Sequence, residues 1–404
     1  MARTLLKGGT IIDGSGGTPL RNASIEFEDG KITLVGTAAD FGLRGAGATV
    51  IDVTGMSVLP GFVNCHEHLD LHYSYGSWEH RSSQSSYYWT SRAARNALIA
   101  LCEGVTTVRD VGSMGGSNLE VKRAIADGML HGPRVLASGL AICTTGGHGV
   151  EISIEADGVD AVRKATRRIL RAGADLIKLM ASGGFIVSHG DDPMSPQFTV
   201  EEMRAAVDEA HSAARATTAH CHPPLGIQRA VEAGVDCIEH GALLDQRSAE
   251  LMAKKGTYLV PTIGETIVLA ERGETLGKPD WLIAKCKAES ESRMQSFRYA
   301  VDAGVKIAVG TDTCDSVAEE VELMVRGGMT PMQGIVAATR TGAELAGLAA
   351  QTGTLARGKW ADIVVVDGDP LADVKALSRI KQVFKEGVLY RPDELRPAIG
   401  RYPL

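Results

Sequence analysis

Short apolar runs alternate with polar loops and helix-like stretches through the middle of this 404-residue chain. The runs are SVLPGFVNCHEH (57–68), GVTTVRDVG (104–112), RVLASGLAI (134–142), ADLIKLMA (174–181), TTAHCH (217–222), VDCIEHG (235–241), TYLVPTI (257–263) and KIAVGTDT (306–313). Between them, TVEEMRAAVDEAHSAARA (199–216) carries apolar residues at helical spacing behind a Thr199/Glu202 capping box, and 284–302 is a second helix-like stretch. Near-continuous apolar strands separated by helices predict a parallel sheet covered on both faces. Eight such units predict an α/β fold, and specifically a closed (β/α)8 TIM barrel in preference to an open doubly wound sheet.

The two ends follow a different rhythm. Residues 3–58 and 353–390 alternate in short strands broken by turn signals, as in SIEFEDGKITLVG and GTLARGKWADIVVVDGDP. Neither piece has enough strands to close a core alone, so one small β-sandwich assembled from both termini is expected. The expected domains are 1–58 with 353–404 for the composite β-sandwich and its tail, and 59–352 for the barrel. After about residue 391 the sequence RPDELRPAIGRYPL has no periodicity and reads as a tail or an oligomer contact.

Composition removes several alternatives. A net charge of −7 provides no basic patch for nucleic acid. No stretch reaches the roughly 18 apolar residues of a membrane span, and the N-terminus lacks a signal-peptide pattern, so a cytoplasmic protein without membrane contact is expected. Seven cysteines without a C-x-x-C pair predict reduced thiols.

The candidate chemistry falls at the strand ends, where a barrel carries its active face. His66 and His68 end the first predicted strand, Lys178 the fourth, His220 and His222 the fifth, His240 the sixth and Asp312 the eighth. Period two puts His66 and His68 on one face and turns Glu67 away. Imidazole nitrogens and carboxylate oxygens converging from several strands are what a divalent metal requires. A lone strand-end histidine is more often a hydrogen-bonded rim residue than a ligand, but this many on one rim points to metal. The same alternation turns Cys65 and Cys221 toward the helices, as small buried apolar residues.

The motifs GFVNCHEHLD, GVTTVRDVG, TTGGHG, LIKLMASGG, TTAHCHPPLGI, AGVDCIEHG, GTDT, MTPMQGIVAATRTGAELAGL and GTLARGKWADIVVVDGDPL occur in family order over nearly the whole chain. In this the sequence resembles the amidohydrolase superfamily, in its imidazolonepropionase-like and metal-dependent Xaa-Pro dipeptidase and carboxypeptidase branch. The resemblance implies two divalent metal ions, with zinc the expected metal. It implies that His66, His68 and Asp312 hold the more buried ion, and that His220 and His240 hold the second. Lys178 would bridge both after CO2-derived carboxylation of Nζ, because an ammonium cannot ligate whereas a carbamate offers two oxygens to ions about 3.5–4 Å apart. Asp312 would also carry the catalytic proton.

Further residues are expected to handle substrate. His148, in TTGGHG, is the candidate donor to the developing carbonyl oxygen, and His222 a substrate contact. Arg109 is a candidate for binding a substrate carboxylate. The aromatic residues Tyr73, Tyr75, Trp78, Tyr87, Tyr88 and Trp89 after strand one suit either the wall of an apolar substrate pocket or an oligomer contact. The strand-four segment SGGFIVSHGDDPMSPQF reads as a lid with hinge glycines, in which His189 has no clear role. The expected activity is metal-dependent hydrolysis of an amide bond in a small molecule, a dipeptide or N-acyl amino acid with a free α-carboxylate, by a homo-oligomer. Ring opening or deamination of a small heterocycle is the second enzymatic reading, and Lys178 counts against it. A catalytically silent scaffold is the third, and the presence of all six ligand positions counts against that.

Overall fold

The alternating N-terminal segment forms β1 (Thr4–Ile11), β2 (Leu20–Glu28), β3 (Lys31–Thr37), β4 (Thr49–Asp52) and β5 (Met56–Pro60) in a computed structural model that describes residues 3–41, 47–71, 84–185, 191–313 and 316–399. The predicted strand 57–68 divides at Gly61. A side chain there would meet Thr106 at 2.2 Å, so only glycine lets the chain pass from β5 into β6 (Phe62–Glu67) of a different sheet.

The central runs become β7 (Val105–Asp110), β8 (Arg134–Ala137), β9 (Ala141–Cys143), β10 (Ser153–Glu155), β11 (Leu176–Met180), β12 (Ala216–Cys221), β13 (Cys237–His240) and β14 (Tyr258–Val260). They pair in parallel, in the orders β6-β7-β8 and β10-β9-β11-β12-β13-β14. The predicted third strand is thus two, β8 and β9, interrupted at Gly139 with φ +69°. The predicted eighth strand is not a regular strand either. Residues 306–312 run parallel to β14 through Leu259 and Ile307 and to β6 through Glu67 and Asp312. The amides of Thr311 and Asp312 both donate to the His66 carbonyl, and the Cys65 amide donates to Val309. This close approach needs Gly310, where a Cβ would lie 2.5 Å from that of His66.

Near the C-terminus come β15 (Ile363–Asp367), β16 (Ile380–Lys385) and β17 (Val388–Tyr390). They join the N-terminal strands in one eight-stranded sheet of order β17-β16-β15-β5-β1-β2-β3, with β4 beside β1. The IVVV run of β15 is buried on both faces, and its parity divides it. Ile363 and Val365 pack with Leu6, Ile25, Phe27 and Phe384 on one side, whereas Val364 and Val366 join the larger core with Leu59 and Phe62.

Helices separate the parallel strands, which makes the fold α/β. Val200–Ser212 starts at the predicted capping box, with both Thr199 and Glu202 hydrogen bonds present, and the 284–302 stretch lies within Asp280–Asp302. Two expectations are corrected. The segment that carries the aromatic residues after the first predicted strand includes a helix, Ser86–Cys102, capped by Ser85, and the aperiodic tail contains a helix at Pro392–Ile399. Pro392 suits a first helical position because its missing N–H would be unpaired there anyway. Arg95 of the first helix donates to the Ile399 carbonyl of the second. The six described cysteines, Cys65, Cys102, Cys143, Cys221, Cys237 and Cys286, are buried free thiols, and no helix among the described residues is long and apolar enough to cross a membrane.

Candidate active site

The strand ends bring a cluster of imidazoles around Asp312. Ligating atoms of His66, His240 and Asp312 lie within 4.8 Å of one another, and all three residues are buried. His68 Nε2 stands 3.7 Å from Asp312 Oδ1, and His66 Nε2 3.8 Å from the same oxygen. The His220 ring is 4.7 Å from that of His240 and 4.6 Å from that of His222, centre to centre. Lys178 is buried on β11, two residues before Met180, which pairs with His220.

Backbone strain aims several of these groups. His240, Thr262 and Asp312 all have positive φ, at +68°, +43° and +65°, conformations that cost about 1–3 kcal/mol each and persist where the surroundings impose them. The turn at Thr262 brings its hydroxyl 2.7 Å from His240 Nδ1.

Four of the other rings have a nitrogen with a defined partner. His66 Nδ1 donates to Glu239 Oε2 at 2.7 Å, and His68 Nδ1 donates to the Gly112 carbonyl at 2.6 Å. His220 Nε2 donates to the Gly183 carbonyl at 3.1 Å. His148 stacks on His220 at 4.1 Å and donates from Nδ1 to Asp191 Oδ2 at 2.5 Å. Gly184 makes that possible, since a Cβ there would meet the His148 ring at 2.2 Å. His222 lies against Phe185 at 4.5 Å, and its buried Nδ1 has no hydrogen-bond partner among the described residues.

Burial sets the protonation of the cluster. Burial first, then the Lys178 charge, lowers the pKa of His66; burial lowers that of His68 to about 3; His220, His222 and His240 are driven well below the ordinary imidazole value by burial and neighbouring charges. These are neutral imidazoles, the form that ligates metal. Burial likewise lowers Lys178, against the attraction of Glu239 and Asp312. Burial would raise the Asp312 carboxyl, but the hydrogen bond from Glu265 and the Lys178 charge help hold it below its usual value.

This donor set fits a divalent cation. Neutral nitrogens and a carboxylate converge, and the buried His66 Nε2 has no hydrogen-bond partner among the described residues.

Three groups near the site were not legible in the sequence. Glu239 takes hydrogen bonds from His66, Arg109 and Thr218; Asp191 orients His148; Glu265 hydrogen-bonds Asp312. A charged residue inside the apolar run VDCIEHG was the available signal for Glu239.

Arg109 is a correction. The expected carboxylate binder is buried beneath the histidines, where it donates to Glu239 and to the Cys65 carbonyl. Trp89 is another: it packs with Leu71, Met114, Ile152 and Met180, while Tyr87 and Tyr88 are exposed at the start of their helix. Tyr73, Tyr75, Trp78 and His189 lie outside the described residues. Cys65 and Glu67 point away from the histidines as expected, Cys65 toward the Gly342 carbonyl and Glu67 to Asn64 and Thr311.

The amidohydrolase family model matches residues 57–389. Ochratoxinase from Aspergillus niger is 35% identical over 433 residues, covering 98% of this chain and 88% of the relative. The chain belongs to the amidohydrolase family. The crystal structure of A. niger ochratoxinase superposes with a TM-score of 0.86 at 33% identity, over 96% of both chains. A Xaa-Pro dipeptidase with methionine bound in its active site gives a TM-score of 0.86 at 31% identity, over 96% of this chain and all of the other. Imidazolonepropionase from Rhizobium rhizogenes is 25% identical over 390 residues, covering 87% of this chain and 88% of the relative. The protein is a hydrolase acting on carbon–nitrogen bonds.

Proposed function

We propose that this chain is a binuclear metal-dependent amidohydrolase that cleaves the amide bond of a dipeptide or an N-acyl amino acid with a free α-carboxylate. The observation that carries this reading is the convergence of buried, neutral imidazoles on Asp312 with Lys178 among them. In the proposed architecture β6 to residue 312 closes as a (β/α)8 barrel within a domain of residues 59–352. Residues 1–58 and 353–404 form the small β-sandwich domain beside it.

His66, His68 and Asp312 would hold one ion, His220 and His240 the other, and Lys178, carboxylated by CO2, would reach both. Burial favours the neutral amine of Lys178, the form that reacts with CO2, and the resulting anion would offer two oxygens to bound cations that an ammonium would repel. When bound, two zinc ions would supply Lewis acidity and lower the ionisation of a water to about pH 7, far below that of bulk water. Asp312 holds the proton taken up in the reaction and releases it to the leaving nitrogen. The hydrogen bond it accepts from Glu265 favours its carboxylate form and so helps it give that proton up. As the imidazolium, which carries a proton on both nitrogens, His148 donates from Nδ1 to Asp191 and from its other nitrogen to the carbonyl oxygen. His222 and Phe185 flank the substrate, with Tyr73 a further contact and Tyr87 and Tyr88 outside them.

Likeness to a Xaa-Pro dipeptidase and to ochratoxinase supports an amide substrate. Likeness to imidazolonepropionase favours ring opening as a second reading. The deciding experiment offers zinc-reconstituted protein a library of dipeptides, N-acyl amino acids and cyclic amides and measures released amino acid. Cleavage of linear members is expected. Opening of cyclic amides with no linear cleavage would refute the primary reading. Light scattering on the same sample tests the proposed homo-oligomer.

A further inference from the structure

Among the imidazoles at the strand ends, His66 alone has a ring nitrogen bound to a fully buried carboxylate. His68 and His220 use backbone carbonyls and His240 a hydroxyl. The carboxylate, Glu239, has no exposed surface and both its oxygens are occupied. Oε2 accepts from His66 Nδ1 at 2.7 Å, and Oε1 accepts from Arg109 Nη2 and the Thr218 hydroxyl. Arg109 Nε also donates to the Cys65 carbonyl at 2.6 Å, so one guanidinium braces both the carboxylate behind the His66 ring and the backbone beside it.

We infer that Glu239 is a positioning residue that keeps the His66 proton on Nδ1 and thereby leaves the Nε2 lone pair facing Asp312, with Arg109 as its brace. The reason is donor and acceptor chemistry. A carboxylate paired with a guanidinium can only accept, so the imidazole must donate to it. The opposite nitrogen is then unprotonated. It lies 3.8 Å from Asp312 and has no hydrogen-bond partner among the described residues. Outer partners of this kind typically contribute 10–100-fold to metal affinity.

The inference rests on the metal reading above, but part of its test does not need metal. In Glu239→Gln the shape is kept while one oxygen becomes an NH2 group. That NH2 must face either Arg109, where two donors collide, or His66 Nδ1, where it pushes the proton to Nε2. Side-chain 15N NMR of the metal-free, histidine-labelled protein reports the tautomer, with His66→Asn identifying the signal. The wild type is expected to be protonated at Nδ1, and the variant to shift toward Nε2. A wild-type His66 protonated at Nε2 overturns the inference.

The second arm titrates wild type and variants with zinc against a chromophoric chelator. Glu239→Gln is expected to weaken the tighter site about 10-fold or more, and Glu239→Asp, which keeps the charge on a shorter arm, to recover part of that loss. Equal zinc affinity in wild type and Glu239→Gln overturns the inference. If the single variant does not fold because Arg109 is left as an unpaired buried charge, Glu239→Gln/Arg109→Gln removes both charges; normal zinc affinity in that double variant overturns the inference equally. A wild type that binds no zinc refutes the metal reading, and the tautomer measurement then decides this inference alone.

Discussion

On the β6 side of the site, both imidazoles have their Nδ1 hydrogens fixed on groups that only accept, His66 on Glu239 and His68 on the Gly112 carbonyl, at 2.7 and 2.6 Å. On the β12 and β13 side, His220 makes a longer bond of 3.1 Å to Gly183, and His240 meets the Thr262 hydroxyl, which can donate or accept. The first side is braced by Glu239, fully buried on β13, and by Gly112 just after β7. The second depends on the segments after β11 and β14, and on a strained turn at Thr262. An ion on the β6 side would find its ligands preset, whereas one on the far side would depend on loop positions. Under the proposed two-metal reading, unequal affinities are expected.

The strongest way to break this comparison is to remove Lys178, the residue proposed to serve both sides. Lys178→Ala is expected to lower amide hydrolysis on the order of 10³-fold or more, since polarisation by bound metal is worth several kcal/mol. Zinc content measured after dialysis should fall from two ions per chain to one or none. Two fully retained ions would rule out the bridging role.

Next come paired variants that sharpen the difference between the sides. His66→Asn is expected to leave zinc below one ion per chain, because it removes the preset side. His220→Asn should leave close to one tightly held ion. Equal losses in the two variants, measured by metal analysis at matched free zinc, would show that the sides are equivalent. A smaller effect is expected for His148→Ala, which keeps both sets of ligands. Its kcat should fall about 10²–10³-fold, as for removal of one oxyanion donor, with zinc content unchanged.

The unequal sides also explain what could be read from sequence. His66, His68, Lys178 and His220 were legible because their strands stay extended, so period two gives the direction of each side chain. That rule fails where φ turns positive. On β13 it is Glu239 that pairs opposite His220 and shares its face, and the swing of the backbone at His240 brings that ring to the same side, so alternation read from His240 misdirects Glu239. Asp191 and Glu265 act from segments that follow strands, where no periodicity marks them. Gly61 carried the division of the first predicted strand, but the reason lies in Thr106, distant in sequence and adjacent in space. Arg109 was misread because its position near a strand end was legible and its buried partner was not. The parallel strands followed from local pattern, while the joining of both termini in one sheet rests on pairing between β5 and β15 that no local pattern encodes.

The smallest expected effect concerns the support of the looser side. Glu320 is fully buried and accepts the amides of Ile263 and Gly264 at 2.7 Å each, holding the start of the helix that follows Thr262. Burial raises its carboxyl to about 7, against an ordinary value of about 4.3. Between those two values the folded chain keeps a proton that the unfolded chain has released. The stability contributed by that proton is therefore complete below about pH 4 and lost as pH rises through about 7. Glu320→Gln cannot titrate, so its melting temperature should fall less than that of the wild type between pH 5 and pH 7.5. Zinc held on the β6 side should be unaffected, because His66 and His68 take their support from Glu239 and Gly112 instead. An unchanged pH slope of melting would mean that Glu320 is ionised in the fold, and would place the support of His240 on as firm a footing as that of His66.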